Sequence, residues 1–188
     1  MDSRADDSVT VADVLSFWFE AHGPKDWFGG EKSFDAAVIE GFATTHAKAV
    51  ANELVSWRST PEGRLAEIIV LDQFSRQIHR RHPRAFAADG QALALAQEMV
   101  LRGDDLKIEE GRRLFAYMPY MHSESRAVQD DSVRLFSVFD DETRRYADEH
   151  RALIVRFGRY PHRNATLGRE SSAAEREHLA GNHESYGQ

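Results

Sequence analysis

The sequence predicts an all-α fold of about eight helices, arranged as stacked antiparallel helical hairpins. Three observations predict it. Apolar residues recur at three- and four-residue spacing along most of the chain, Gly and Pro punctuate these runs at short intervals, and no alternating β-branched run with hairpin chemistry occurs.

Val11, Val14, Leu15, Trp18 and Phe19 share one face of a first helix over about 10–21, with Thr10 as N-cap and Asp13 three residues on. His22-Gly23-Pro24 stops it, and Trp27-Phe28-Gly29-Gly30 reads as a loop whose rings tuck under the fold. Ser33 is expected to cap a second helix, which carries Phe34, Val38, Phe42 and Ala49 on one side and ends near Leu54. Thr60-Pro61-Glu62 opens a third over about 61–79, because Pro at the first helical position loses only an N–H that has no partner there. Its Leu65, Ile68, Ile69, Val70, Leu71, Phe74 and Ile78 make it apolar almost all round, so it belongs at the centre.

His82-Pro83 breaks the chain, Asp89 is expected to cap a fourth helix, and Gly103 follows as its left-handed terminator. A fifth runs from Glu109 to Met121, where Pro119 removes one ladder bond and kinks or ends it. Val128 to Phe139 forms a sixth apolar face and Tyr146 to Phe157 a seventh, closed by Gly158. Ser172-Ala173-Ala174-Glu175 is a capping-box pattern for a short last helix to about Ala180.

The 188 residues suit one core, so a single domain over 1–188 is expected, with 1–9 and 181–188 as flexible ends. Cysteine is absent, which removes disulfides, thiolate metal sites and thiol nucleophiles. Met1 to Thr10 is polar and acidic, unlike a secretory or transit signal, and no apolar run nears membrane-spanning length, so a cytoplasmic location and no membrane contact are expected. A net charge of −7 opposes binding to nucleic acid through phosphate neutralisation.

Three segments carry the candidate chemistry. A helical wheel puts Asp72 and Arg76 on the same face as Leu65, Ile68 and Ile69, where charges must be paired. They form either a core ion pair or the wall of a pocket, with Arg76 holding an anion. His79 continues that face, and Arg80, Arg81 and Arg84 follow with no acid between them, as a solvated loop or a basic mouth. His122-Ser123-Glu124 lies just beyond Pro119, where His122 and Glu124 are candidates for base and orienter or for hydrogen bonding at the helix end. His150 sits in the Tyr146 to Phe157 stripe, as a core histidine or a partner of His122 or Asp72. Arg159-Tyr160-Pro161-His162-Arg163-Asn164 crowds two guanidinium forks, His162 and Asn164 into one turn, suited to anion recognition or to capping neighbouring helices.

Nine histidines invite a metal, yet no His-Glu-x-x-His, no paired His at i and i+4 and no Asp-x-Asp loop is present. No metal site or cofactor is therefore assigned. A Gly-rich phosphate loop and a Gly-x-Ser-x-Gly elbow are also missing.

Val14-Leu15-Ser16-Phe17-Trp18-Phe19, Trp27-Phe28-Gly29, Leu71-Asp72-Gln73-Phe74-Ser75-Arg76, Pro83-Arg84-Ala85-Phe86, Tyr120-Met121-His122-Ser123-Glu124 and Phe157 to Asn164 with Leu167-Gly168-Arg169 occur in order. Together they resemble the bacterial domain-of-unknown-function family 924 from about Val11 to Leu179. The resemblance implies a fold like that of tetratricopeptide-repeat proteins and adds no activity. Ser75, Gln77 and His79 stand where that family more usually has Pro, Asn and Tyr, while Asp72, Gln73 and Arg76 match it.

The expected function is a small anionic ligand-binding protein or enzyme with an inter-helical pocket. In it Asp72, Gln73, Arg76, His150, Arg159, Arg163 and Asn164 form the binding set, and His122, Glu124 and His162 are available for proton transfer. The alternatives are a helical-repeat-like interaction module without catalysis, with a protein partner or a homodimer, and a metal-assisted hydrolase.

Overall fold

The computed structural model describes residues 9–181, and the regular structure among these residues is all helical, with no strand. The expected flexible ends fall almost wholly outside the described residues. The first helix is α1 (Val11–Ser16), begun by the Thr10/Asp13 capping box and prolonged by a π turn at Phe17–Ala21. Trp27 and Phe28 lie on a short helix α2 (Pro24–Gly29) and not on a loop, because Pro24 presets the first turn and the Asp26 carboxylate accepts the Gly23 N–H at 3.1 Å. Trp27 does tuck inward, stacked on Trp18 with ring centroids 5.5 Å apart, whereas Phe28 is exposed.

Helix α3 (Lys32–Val50) starts one residue before the expected cap Ser33 and ends four before Leu54; its N-cap is Glu31, without a side-chain bond. The central rod is α4 (Pro61–Ile69), a π turn at Val70–Phe74 and α5 (Ser75–Ile78). Then come α6 (Asp89–Leu101), α7 (Glu110–Met121), α8 (Arg126–Phe136), α9 (Asp141–Phe157) and α10 (Ala173–Ala180). Pro119 sits inside α7, two residues from its end, so the lost ladder bond falls in the last turn.

Consecutive helices pack on one another, α6 on α7, α7 on α8 and α8 on α9, while α3, α6 and α7 surround the rod. Leu65, Ile68, Ile69, Val70, Leu71 and Phe74 are fully buried, as the all-round apolar pattern requires. One continuous apolar cluster runs from Val14 to Ala147, and Leu153, Ile154 and Tyr160 form a smaller one.

The rod begins under a tight constraint. A Cβ at Gly63 would lie 2.0 Å from the Trp57 carbonyl oxygen, a backbone atom that cannot rotate away. Helix propensity favours Ala by about 0.5–1 kcal/mol, but forcing backbone apart costs roughly 1–3 kcal/mol, so sterics should win. Gly63→Ala should thus melt several degrees lower. Gly41→Ala, in α3 with open space around it, should melt slightly higher. Thermal denaturation of the two variants measures both signs.

Candidate functional site

The π turn at Val70–Phe74 carries Asp72 and Gln73 and hands over to Ser75 and Arg76 on α5. Such turns widen a helix and shift its hydrogen-bond register, often at functional positions. Here the Ser75 hydroxyl donates to the Leu71 carbonyl at 2.5 Å, and the Arg76 guanidinium donates to the Asp72 carbonyl. Asp72 is sealed from solvent, and every group around it favours its charge. Arg76 Nη1 stands 3.1 Å from Oδ1, His122 Nδ1 lies 2.8 Å from the same oxygen, and Gln73 Nε2 donates to Oδ2 at 2.6 Å. Burial alone would raise this carboxyl, but Arg76 and His122 outweigh it and hold the group well below the usual carboxylate range.

His122 follows α7 directly, and its imidazole is a wall of the pocket described below. Burial and the neighbouring Arg76 push its pKa down, against the pull of Asp72 and Asp89, so the ring is neutral at neutral pH. An ionised Asp72 can only accept, so Nδ1 carries the proton and Nε2 is the basic nitrogen.

Asp89 is the first residue of α6, preceded by Ala88 as N-cap, and does not cap it as expected. Its carboxylate instead joins two of the three segments: Arg76 Nη1 lies 3.1 Å away and Arg163 Nη1 donates to it at 3.2 Å. Arg163, in the 3₁₀ turn Pro161–Arg163, lies over both the Phe86 and Tyr160 rings at 4.5 and 4.7 Å. Burial and Arg76 lower its pKa, opposed by Asp89. Glu124 joins the remaining pair of segments, accepting from Arg169 at 2.8 and 2.9 Å and from the Tyr160 N–H at 2.8 Å.

These contacts frame a cavity of about 340 Å³. Its walls are apolar at Pro83, Phe86, Leu93, Pro119 and Leu167, and polar at Asp89, His122, Glu124 and Arg163. The three candidate segments therefore meet in space. Not all their residues reach the cavity. Arg159 is clamped by both Glu175 oxygens at 2.7 and 2.9 Å, and Asn164 donates to Ser171 at 3.0 Å, so both fasten α10 and its approach. Gln73 and Arg76 stand behind Asp72 and Asp89, while His150 Nδ1 lies 2.7 Å from the Tyr146 carbonyl and its ring packs against Tyr160. His162 stacks on Tyr160 at 5.3 Å. Burial first, then Arg163, drives His162 down to about 3, and burial drives His150 to about 4.

The model of a family described as bacterial protein of unknown function (DUF924) matches residues 14–183. The chain belongs to this family. A solved structure of a protein of unknown function, ATU0120 from Agrobacterium tumefaciens, is similar to this DUF924 protein, at 36% identity and a TM-score of 0.87, over 90% of this chain and 96% of that one. No match to a curated protein is found. Among the described residues of the DUF924 chain, no group of three or more His, Asp or Glu side chains is placed to hold a metal ion, and no helix is long and apolar enough to cross a membrane.

Sequence reasoning missed Asp89, Phe86 and Arg169 as parts of the site. Phe86 and Arg169 lie in segments that resemble the DUF924 pattern, so a signal for them existed. Asp89 had none beyond being an acid ahead of an apolar run.

Proposed function

We propose that the cavity is a small-ligand site, in which the ligand's apolar body lies against Phe86, Leu93, Pro119 and Leu167 and its acceptor or anionic group meets Arg163 and His122. One observation carries this reading: a buried carboxylate fixes the tautomer of a histidine that lines an otherwise largely apolar cavity. A core ion pair needs no such cavity, and a neutral imidazole with Nδ1 committed leaves Nε2 to accept a proton from a ligand or a bound water. Asp72, Gln73 and Arg76 position that imidazole; Asp89 and Tyr160 position Arg163. Of the anion-gripping set, Arg159 is given up to Glu175. A cytoplasmic setting suits a site for a small metabolite.

Leu167, half-buried on the cavity wall, allows a test that spares the charged groups. At a hundredfold excess over Kd a ligand adds about 2.7 kcal/mol, which for a chain of this size raises Tm by roughly 5–10 °C. Small carboxylates and amides that shift the wild type should lose that shift in Leu167→Trp, which fills the cavity. A shift that survives in Leu167→Trp, or the absence of any shift across a metabolite screen, would refute the reading.

A second reading, an interaction module of tetratricopeptide-like stacking or a homodimer, is favoured by Leu101 and Leu106, which are 87% and 69% exposed on either side of the Gly103 turn. Sedimentation of Leu101→Lys with Leu106→Lys against the wild type decides whether this patch joins two copies.

A further inference from the structure

We propose that the cavity takes a small monocarboxylate with an apolar body, and that each carboxylate enters together with one proton from solvent, which comes to rest on His122 Nε2. This rests on the ligand-site reading above and names its ligand class.

Charge balance around the cavity calls for that proton. Three carboxylates, Asp72, Asp89 and Glu124, are matched around the cavity by three guanidinium groups, Arg76, Arg163 and Arg169. With His122 neutral, the surroundings carry no net charge to spare for an anion. An unbalanced anion among buried groups is expensive, so entry of a negative charge must bring a positive one. Asp89, Glu124 and Arg163 are already held in ion pairs, which leaves His122 as the wall residue that can gain a proton.

The groups facing His122 favour that outcome once the ligand is present. Asp72 on the central rod stands 2.8 Å from Nδ1 and would stabilise an imidazolium. Asp89 on α6 also pulls toward the charged form, while Arg76 on α5 opposes it. Farther out, His150 on α9 and His162 and Arg163 in the 3₁₀ turn belong to the same electrostatic neighbourhood. A carboxylate near Nε2 adds a second negative charge on the other side of the ring, and that tips His122 to the charged form.

Hydrogen-bonding capacity agrees. A protonated Nε2 supplies a donor for one carboxylate oxygen, and the Arg163 guanidinium on the same wall supplies a second positive group. The apolar walls suit an aliphatic or phenyl body. A phosphate dianion would need a second proton that no wall residue is placed to take.

The probes are butyrate, hexanoate and benzoate, their primary amides, and inorganic phosphate, titrated calorimetrically into the full chain in PIPES and in Tris at pH 7.5. The expected result is uptake of nearly one proton per carboxylate, a Kd that rises about tenfold per pH unit above neutrality, and far weaker binding of the amides and of phosphate. Nitrogen-15 spectra of the histidines, which need no variant, should show one imidazole passing to the imidazolium form on adding butyrate, and His122→Asn should remove that signal and the proton uptake. Carboxylate binding without proton uptake, amides binding as tightly as acids, or protonation at a histidine other than His122 would overturn the inference while leaving the ligand site standing. So would a screen in which other compounds bind in a Leu167→Trp-sensitive way and no carboxylate does. If nothing that binds is sensitive to Leu167→Trp, both fall together.

Discussion

Acidification from pH 7 to 4.5 should remove on the order of 5 kcal/mol of folding stability, a large share of what a domain of this size has. His46, His150 and His162 are held neutral by the fold. Burial lowers His46 and His150 to about 4, and burial with Arg163 lowers His162 to about 3, all from an ordinary 6.5. Above pH 6.5 these histidines are neutral whether the chain is folded or not, and their protonation contributes no difference. Below it the unfolded chain binds protons that the folded one refuses, so stability is lost as pH falls from 6.5 toward the folded values. Each unit of that gap is worth about 1.4 kcal/mol per histidine, and the sum is reduced for His162, which is half-buried where His46 and His150 are buried. The buried acids add little until the lower end of this window, because the unfolded chain takes up a proton at Asp72 only near 3.8 and at Glu175 only near 4.5, while the fold holds both ionised. Urea denaturation at half-unit pH steps should show a steady fall beginning near 6.5. A flat profile down to pH 4.5 would mean that these imidazoles are hydrated or charged in the fold.

Much of this arrangement was legible in local spacing. Thr60-Pro61 and the all-round apolar run marked the central rod to within a residue, and the i, i+4 spacing placed Asp72 and Arg76 together on its buried side. The π turn beneath them was not legible, because a shift of hydrogen-bond register leaves composition and apolar period almost unchanged. Asp89 shows why sites are harder than folds. Its local signature is that of a helix start, whereas its partners lie thirteen residues back and seventy-four ahead, and only packing of α6 against the rod and the 3₁₀ turn makes them neighbours. Arg159 and Arg163 read alike for the opposite reason. Both crowd one turn, yet one side chain reaches α10 and the other the cavity. Gly63 carries the same lesson at the level of a single hydrogen atom, since nothing in the helix pattern announces the carbonyl of Trp57.

Asp72→Ala should destabilise the protein by roughly 3–5 kcal/mol, the usual consequence of removing one member of a buried ion pair. The variant leaves the Arg76 guanidinium with one carboxylate, Asp89, beside the retained main-chain carbonyl of residue 72, strips the acceptor from His122 Nδ1, and leaves the Gln73 amide only the Met118 sulfur, 3.2 Å away. The informative comparison is with Asp72→Leu combined with Arg76→Met. The double variant removes a charge of each sign, Asp89 keeps Arg163, and no guanidinium is left buried without compensation. It should therefore be more stable than Asp72→Ala by a clear margin, even though it changes more atoms. Equal or greater loss in the double variant would mean that Arg76 contributes chiefly through its own packing, under Phe86 and along the rod, and that the carboxylate is incidental to it. In the ordering expected here the pair is not a source of stability at all. Apolar side chains could fill the same space at little or no cost, so what they could not replace is the hydrogen bond that His122 Nδ1 donates to Asp72.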